Sequence, residues 1–153
     1  VKVLKDVEKC LDEKGIFFFS TLGPDSLIEL KESFLAIDSM PHVNEFIDMH
    51  HYGDILSDLN FLDPVMDIEN ITLKFNNFFA AMNSIRKIGA NTLAKQSSKS
   101  LNKSQVKDLI LNYPQTPDSK YPLSYEVIYG TAWKRKLMSH IDSKVVIPIK
   151  PKK

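Results

Sequence analysis

Glycine is scarce in this sequence of 153 residues: there are five, at positions 15, 23, 53, 89 and 130. No two of them have the spacing of a G-x-G-x-x-G fingerprint or of a Walker A loop, the two glycine-rich loops that cradle phosphates. No acidic residue can therefore follow such a loop at the distance that ribose recognition needs. A complete nucleotide site of either kind is excluded within these residues.

Side chains for nucleophilic or metal chemistry are also few. Cys10 is the one cysteine, so no internal disulfide can form, and its place on an apolar helical stripe predicts a buried thiol. No G-x-S-x-G elbow is present. His42, His50 and His51 are the one candidate metal cluster, but adjacent histidines on a helix point about 100° apart, which favours a polar surface. We expect neither a metal site nor a nucleophilic triad.

Long apolar runs are absent as well, and basic and acidic residues are unevenly distributed along the chain. No run approaches the roughly 18 residues that cross a bilayer, and no signal-peptide pattern is visible, so we expect a cytoplasmic protein. Residues 24–75 carry two basic and eleven acidic side chains, whereas residues 76–153 carry fourteen basic and four acidic ones. The basic half could receive an acidic partner, a carrier protein or a nucleic acid, or could be a solvated surface. Nucleic acid is disfavoured, because no reading motif accompanies the charge.

The first elements predict an α/β fold. An amphipathic helix leads into the apolar run Ile16–Phe19, which is typical of a buried parallel strand. Because such a strand needs neighbours on both sides, we interpret the chain as the later part of a larger domain. Gly23 and the two residues after it predict the start of a helix whose apolar positions are Leu27, Leu30, Phe34 and Ile37.

The later elements extend this pattern. Asp48 predicts a helix start, and Asp63-Pro64 predicts its stop. The alternation over 65–75 predicts a strand near a sheet edge, and helices are predicted to end at Gly89 and to run from Lys103 to Asn112. A last strand covers 123–133. This order is that of the second half of a doubly wound sheet that ends in antiparallel strands, and it places Ser20 to Gly23 at the rim of a site.

Seven blocks carry a resemblance to one family: FFFSTLGPDSLIELKESF, PHVNEFIDMHHYGDIL, ITLKF, SIRKIGAN, LNKSQVKDL, YPLSYEVIYG and AW. In this order and at these intervals they resemble the malonyl-acyl-carrier-protein O-methyltransferases of biotin synthesis, over residues 2–134. That family belongs to the class I methyltransferases that use S-adenosylmethionine and have a Rossmann-like sheet. Its members methylate the free carboxyl group of a malonyl thioester.

The resemblance implies a division of the domain. Residues 1–133 would be the C-terminal part of a methyltransferase domain, with lid helices inserted at about 24–39 and 76–112, and residues 134–153 would be a basic tail. The N-terminal half, which supplies most S-adenosylmethionine contacts in the family, would be missing from this chain. We therefore expect the chain to be inactive alone, and a separately encoded N-terminal half is one possible partner. The substrate would be carried on acyl carrier protein or coenzyme A.

The resemblance also implies the candidate site residues. Arg86 falls where the matching family block carries a basic residue and would hold the substrate carboxylate; the alternative is a solvated arginine. The substrate pocket would be lined by His42, Asn44 and Tyr125. The alternative for His42 and Asn44 is that they cap the loop, and the alternative for Tyr125 is a place in the core. Thr21 and Gly23 would form the rim of the cofactor site; the alternative is that they only form a turn. Carrier-protein contacts would come from exposed lysines: Lys95, Lys99, Lys103 and Lys107. No residue is expected to act as a catalytic acid or base.

Two other functions stay open. The chain could be a non-catalytic module that binds a carrier protein or a companion subunit through a face left bare by missing strands. The related assembly hydroxylase of mitochondrial respiratory complex I shares some of these blocks and is the third reading. We expect neither nucleic acid nor membrane among the partners.

Overall fold

A computed structural model describes residues 2–38, 40–89 and 101–135. Five helices and three strands lie within them, and the α/β class predicted from the sequence is confirmed. Their bounds in chain order are α1 Lys2–Cys10, β1 Ile16–Leu22, α2 Ile28–Leu35, α3 Met49–Asp58, β2 Phe61–Phe75, α4 Phe78–Lys87, α5 Lys103–Asn112 and β3 Tyr121–Lys134.

The three strands form one sheet in the order β1-β3-β2. The last strand of the chain lies between the other two and pairs antiparallel with both, as in Phe19 opposite Gly130 and Ile68 opposite Ile128. A Cβ atom on Gly130 would overlap the ring of Phe19, so glycine lets the ring lie across the neighbouring strand. One backbone edge of β1 has no strand beside it among the described residues.

Most helix ends follow the local signals of the sequence. The start of α2 does not: it was predicted at Gly23 to Asp25 but lies at Ile28, after Leu27 in a left-handed conformation with no side-chain cap. The Asp48 carboxylate accepts a hydrogen bond from the backbone N–H of His50 at the start of α3, as predicted. Asn102 and Gln105 form the reciprocal capping box predicted for α5. Gly89 follows α4 with a φ of 74°, a left-handed conformation that suits glycine after a helix.

Two apolar cores lie on opposite faces of the sheet. The larger core packs α2, α4 and α5 on one end of one face, around Leu30, Phe78 and Leu123. The smaller core packs α3 on the other face, around Leu56 and Ala132. The rest of the first face, beside the larger core, is not covered by any described helix.

Three further sequence expectations differ from the structure. The run Ile16–Phe19 is not a fully buried parallel strand: β1 pairs antiparallel with β3, and Ile16 and Phe18 are 38% and 69% exposed. Their side chains lie on the uncovered part of the first face. Cys10 is exposed, because the helix ends there and its apolar stripe is buried only at Leu4.

The third difference concerns β2, which begins at Phe61 and continues through Asp63-Pro64. A register shift between Leu62 and Val65 accommodates the proline, whose nitrogen cannot donate to the ladder. The proposed lid segments contain α2, α4 and α5, and their role as lids stays a prediction. Of the proposed tail 134–153, only residues 134 and 135 are described.

Candidate functional site

The loop that follows β1 is held against β3 mainly by one residue, Glu126. Its backbone carbonyl accepts a hydrogen bond from the N–H of Gly23 at 2.8 Å, and its carboxylate accepts one from the N–H of Asp25 at 2.7 Å. The hydroxyl of Ser26 donates to the Glu126 carbonyl and accepts from the Glu126 N–H, both at 3.0 Å. The N–H of Leu27 donates a fifth hydrogen bond, to the carbonyl of Ser124 at 2.7 Å, so the two short segments, about 100 residues apart, are joined closely.

A second buried carboxylate continues this attachment into α2. Glu29 accepts hydrogen bonds from the backbone N–H and the hydroxyl of Ser124, and Glu29 and Glu126 are only 9% and 7% exposed. Buried carboxylates are costly unless they are hydrogen-bonded, and both of these are. Neither residue was predicted from the sequence to have a role in the site. The one available signal for Glu126 was the presence of an acidic residue inside the apolar run of β3.

The anchored loop and α2 form one wall of a cavity of about 340 Å³. The other wall is the segment from Met40 to Phe46. His42 and Asn44, two of the residues that the sequence predicted for the substrate pocket, both line it. The lining is mainly apolar and includes the rings of Phe34 and Phe46.

Lys31 brings a positive charge to this cavity. Its ammonium group donates a hydrogen bond to the carbonyl oxygen of Pro24 and lies 5.6 Å from the ring centroid of Phe46. Among the described residues no carboxylate forms an ion pair with it. Glu45, which is exposed, also lines the cavity. Lys31 is therefore a cation that can bind an anionic ligand. It was not among the site residues predicted from the sequence.

His42 is fixed on two sides. Its Nε2 lies 2.8 Å from Oδ1 of Asp38, and its ring stacks on Phe34 with centroids 4.0 Å apart. The backbone N–H of Met40 donates to the same Asp38 oxygen. This hydrogen bond and the one with His42 hold the pKa of Asp38 below its usual value. Because Nε2 already has Asp38 as its hydrogen-bond partner, the main role of His42 is to form part of the cavity wall.

Thr21 lies at a different place. It lines a shallow depression of about 250 Å³ together with Ser20, Leu22, Ile88 and Val127. Gly23 is buried beside Glu126 and lines neither cavity. S-adenosylmethionine carries an ammonium group, a carboxylate and a ribose diol, which call for charged or strongly polar partners. Two hydroxyls and three apolar side chains do not supply them, so these residues do not fit the cofactor by themselves.

The other predicted site residues are not brought together with His42 and Asn44. Arg86 is exposed in the last turn of α4, with Nη1 3.3 Å from Oδ1 of Asn83. Tyr125 is 8% exposed and belongs to the larger core. Lys103 and Lys107 are exposed on α5, whereas Lys95 and Lys99 lie outside the described residues. The binding roles of these residues stay predictions.

Metal-binding clusters and membrane-spanning helices are both absent from the described part of the chain. Across residues 2–38, 40–89 and 101–135, no three His, Cys, Asp or Glu side chains are placed to hold a metal ion. None of the helices described there combines the length and the hydropathy that crossing a membrane requires.

Comparison with known proteins finds malonyl-acyl-carrier-protein O-methyltransferases among the relatives of this chain. The malonyl-acyl-carrier-protein O-methyltransferases of Gallionella capsiferriformans and Laribacter hongkongensis are each 40% identical, over 131 and 134 residues. That of Legionella pneumophila is 34% identical over 147 residues. These matches cover 84%, 86% and 92% of this chain but only 45%, 45% and 52% of the relatives. The chain thus spans about half the length of the curated relatives it matches.

Two further comparisons add little. No protein-family model matches the chain. A solved structure, the YcgJ protein of Bacillus subtilis, aligns with 88% of this chain and 57% of its own, at 12% identity and a TM-score of 0.49.

The fold and the relatives define the class of this chain: it is an α/β polypeptide related to part of a methyltransferase. More particularly, the resemblance found in the sequence is confirmed, and the chain is homologous to a portion of the malonyl-acyl-carrier-protein O-methyltransferases.

Proposed function

We propose that this chain is the acyl-binding part of an S-adenosylmethionine-dependent O-methyltransferase that esterifies the free carboxyl group of a malonyl thioester in biotin synthesis. The names of its relatives support the reaction class. The observation that carries the assignment to this part of the enzyme is the cavity lined by Lys31, His42 and Asn44.

The proposed role of Lys31 is to hold the malonyl carboxylate. An ammonium group with no ion-pair partner among the described residues, in a cavity that two aromatic rings line, suits a short acyl chain that ends in an anion. In such a partly apolar cavity a single charge pair is stronger than in water. Lys31 replaces Arg86 as the first candidate for this role, because Arg86 does not line the cavity.

The reaction places small demands on these residues. A carboxylate is already ionised at neutral pH, so its oxygen needs no general base before it accepts a methyl group. What the protein must supply is position and exclusion of water. The stacked pair Phe34 and His42 and the anchored loop from Gly23 to Leu27 are suited to hold one wall of the cavity rigid.

Cofactor binding is assigned to other residues. Because the depression at Thr21 lacks charged groups, we expect S-adenosylmethionine to gain most of its contacts from a part of the enzyme that this chain does not match in its relatives. The isolated chain is then expected to bind the acyl group weakly and to transfer no methyl group.

Carrier-protein recognition is proposed for α5. Lys103 and Lys107 lie four residues apart on the exposed side of this helix, and so present two positive charges on one face. The name of the relatives, malonyl-acyl-carrier-protein O-methyltransferase, supports acyl carrier protein as the partner. The phosphopantetheine arm would carry the malonyl group from that surface to the cavity.

The test is a titration of the isotope-labelled chain with malonyl-pantetheine and, separately, with acetyl-pantetheine, which lacks the carboxylate. We expect malonyl-pantetheine alone to shift the NMR signals of residues 31–46, and Lys31→Met to weaken its binding about tenfold, the loss of one charge-assisted contact. Lys5→Met, on the exposed side of α1, is the matched control. Equal binding of the two thioesters, or equal effects of the two variants, would refute the role of Lys31.

A further inference from the structure

The segment from Met40 to Phe46, which we call the return segment, runs back along α2 and contacts one side of that helix. The ammonium group of Lys31 lies over the ring of Phe46, 5.6 Å from its centroid. The ring of His42 stacks on that of Phe34, with 4.0 Å between the centroids. Because residues three positions apart are neighbours on a helix, Lys31 and Phe34 present one surface to the return segment.

Asp38 extends this surface beyond the end of α2. Its backbone N–H donates to the carbonyl of Phe34 at 3.1 Å, which continues the last helical turn. Asp38 therefore lies on the same side of the helix as Phe34, four residues earlier. Its Oδ1 accepts a hydrogen bond from the Met40 N–H at 2.9 Å and lies 2.8 Å from Nε2 of His42. One carboxylate oxygen thus binds two residues of the return segment.

Asp38 acts on the cavity from outside. It is not among the residues that line the cavity, whereas its two partners, Met40 and His42, both are. Its hydrogen bonds determine where the return segment leaves α2 and in which direction the His42 ring faces. Side chains outside a binding site can fix the geometry of those inside it in this way.

The acceptor at position 38 is present at neutral pH. The pKa of Asp38 is lowered first by the hydrogen bond from the Met40 N–H and then by the one with His42, so the carboxylate stays ionised there. An ionised carboxylate only accepts hydrogen bonds, so Nε2 of His42 is the donor. The Asp38 side chain is itself 31% exposed, and hydrogen bonds at such a position contribute little to the stability of the whole chain. Their main effect is local, on the return segment.

We propose that Asp38 is a positioning residue for acyl binding: it holds the return segment against α2 and so completes the cavity before the ligand enters. The ligand class is a thioester whose acyl group ends in a carboxylate, so this inference rests on the proposed function. Because Met40 and His42 both donate, the role needs an acceptor oxygen at position 38 and not a negative charge. An asparagine keeps that oxygen, whereas an alanine does not.

The experiment compares Asp38→Asn with Asp38→Ala by calorimetric titration of the chain with malonyl-pantetheine. We expect Asp38→Ala to weaken binding at least about fivefold, because the ligand must then order His42 and the return segment as it binds. Asp38→Asn should stay within about twofold of the unaltered chain, because its amide oxygen accepts the same hydrogen bonds. The NMR contact between the rings of Phe34 and His42 should be kept in Asp38→Asn and weakened in Asp38→Ala.

Asp48 offers a matched control. Its Oδ1 also accepts from the backbone N–H two residues further on, that of His50, at 2.8 Å, but neither residue lines the cavity. Asp48→Ala should therefore change the affinity for malonyl-pantetheine by less than about twofold.

Three results would overturn the proposal. Equal losses in Asp38→Asn and Asp38→Ala would show that the charge at position 38 matters and not the acceptor. Equal losses in Asp38→Ala and Asp48→Ala would show a general effect on the fold. An Asp38→Ala chain that binds as tightly as the unaltered one would exclude the role of Asp38, and the proposed function would stand if Lys31→Met still weakens binding. An unaltered chain that does not bind malonyl-pantetheine would overturn both.

Discussion

Gly23 and Glu126 are in contact so close that any side chain at position 23 would have to displace the Glu126 carboxylate. The N–H of Gly23 donates to the Glu126 carbonyl, and a Cβ atom at Gly23 would lie 2.5 Å from Oε2 of the same residue. The Glu126 carboxylate passes over the glycine to reach the N–H of Asp25. Gly23 thus allows a buried carboxylate to hold the loop that supports the proposed acyl cavity.

Replacement of Gly23 by alanine should therefore be costly. We expect Gly23→Ala to lower the free energy of unfolding by about 1–3 kcal/mol, the usual cost of overpacking a buried position. Gly53→Ala is the control. Gly53 lies in the interior of α3, and a Cβ atom there would meet only the side chain of Met66, at 3.8 Å. That change should be neutral or stabilise by up to about 1 kcal/mol, because alanine favours helices. Denaturant unfolding measures both, and equal effects would contradict the close contact.

Ser26 offers a second test of the same attachment. Ser26→Ala leaves the N–H and C=O of Glu126 without their side-chain partner in a buried place, which should cost about 1–3 kcal/mol. Ser57→Ala removes a hydroxyl that donates to the Gly53 carbonyl on an exposed turn of α3, and should change stability by less than about 0.5 kcal/mol. A Ser26→Ala protein as stable as Ser57→Ala would show that the loop is held by other contacts.

The pKa of Asp38 predicts a pH dependence. Its native pKa lies below the ordinary value of 3.8, so its ionised form stabilises the folded chain above pH 3.8, and this contribution is lost as the pH falls through the lower native pKa. An NMR titration of the carboxyl carbon should give a midpoint below 3.8. In His42→Ala the midpoint should rise but stay below 3.8, because the Met40 N–H, the larger cause, remains. An unchanged midpoint in that variant would exclude the contact with His42.

The lysines of α5 predict a salt-dependent association. Lys103→Glu combined with Lys107→Glu should weaken the binding of malonyl-acyl-carrier protein at least tenfold at low salt, with a smaller effect at high salt, because screening already reduces the attraction. Binding of malonyl-pantetheine, which carries no protein, should not change. Lys5→Glu combined with Lys9→Glu on α1 is the control with the same change of charge. Equal losses in the two double variants, measured by calorimetry, would exclude a specific role for α5.

Local signals in the sequence predicted the starts of α3 and α5 but not that of α2, which begins at Ile28 without a side-chain cap. The capping box of Asn102 and Gln105 and the cap at Asp48 depend on residues two or three positions apart, so the sequence contains all that they require. The attachment of Glu126 to Asp25 joins residues 101 positions apart, and no local pattern indicates it. Lys31 was missed for a related reason: a lysine on an amphipathic helix is typical of a solvated surface until the opposite wall of the cavity is known.

The burial of β1 could not be predicted for a different reason. Ile16–Phe19 has the composition of a strand covered on both faces, yet α3 covers only the face of Phe17 and Phe19 among the described elements. The composition of a strand reflects every layer that packs on it, and the described residues contain one of those layers here.

The central claim is tested most directly by methyl transfer. This chain is mixed with the portion of the Gallionella capsiferriformans relative that it does not match, and any complex that forms is isolated. The complex is incubated with malonyl-pantetheine and with S-adenosylmethionine bearing a deuterated methyl group, and the mass of the product is measured by mass spectrometry. We predict a deuterated methyl ester, none from acetyl-pantetheine, and at least tenfold less from a complex that carries Lys31→Met. A complex that forms and binds malonyl-pantetheine but yields no methyl ester would contradict the proposed function.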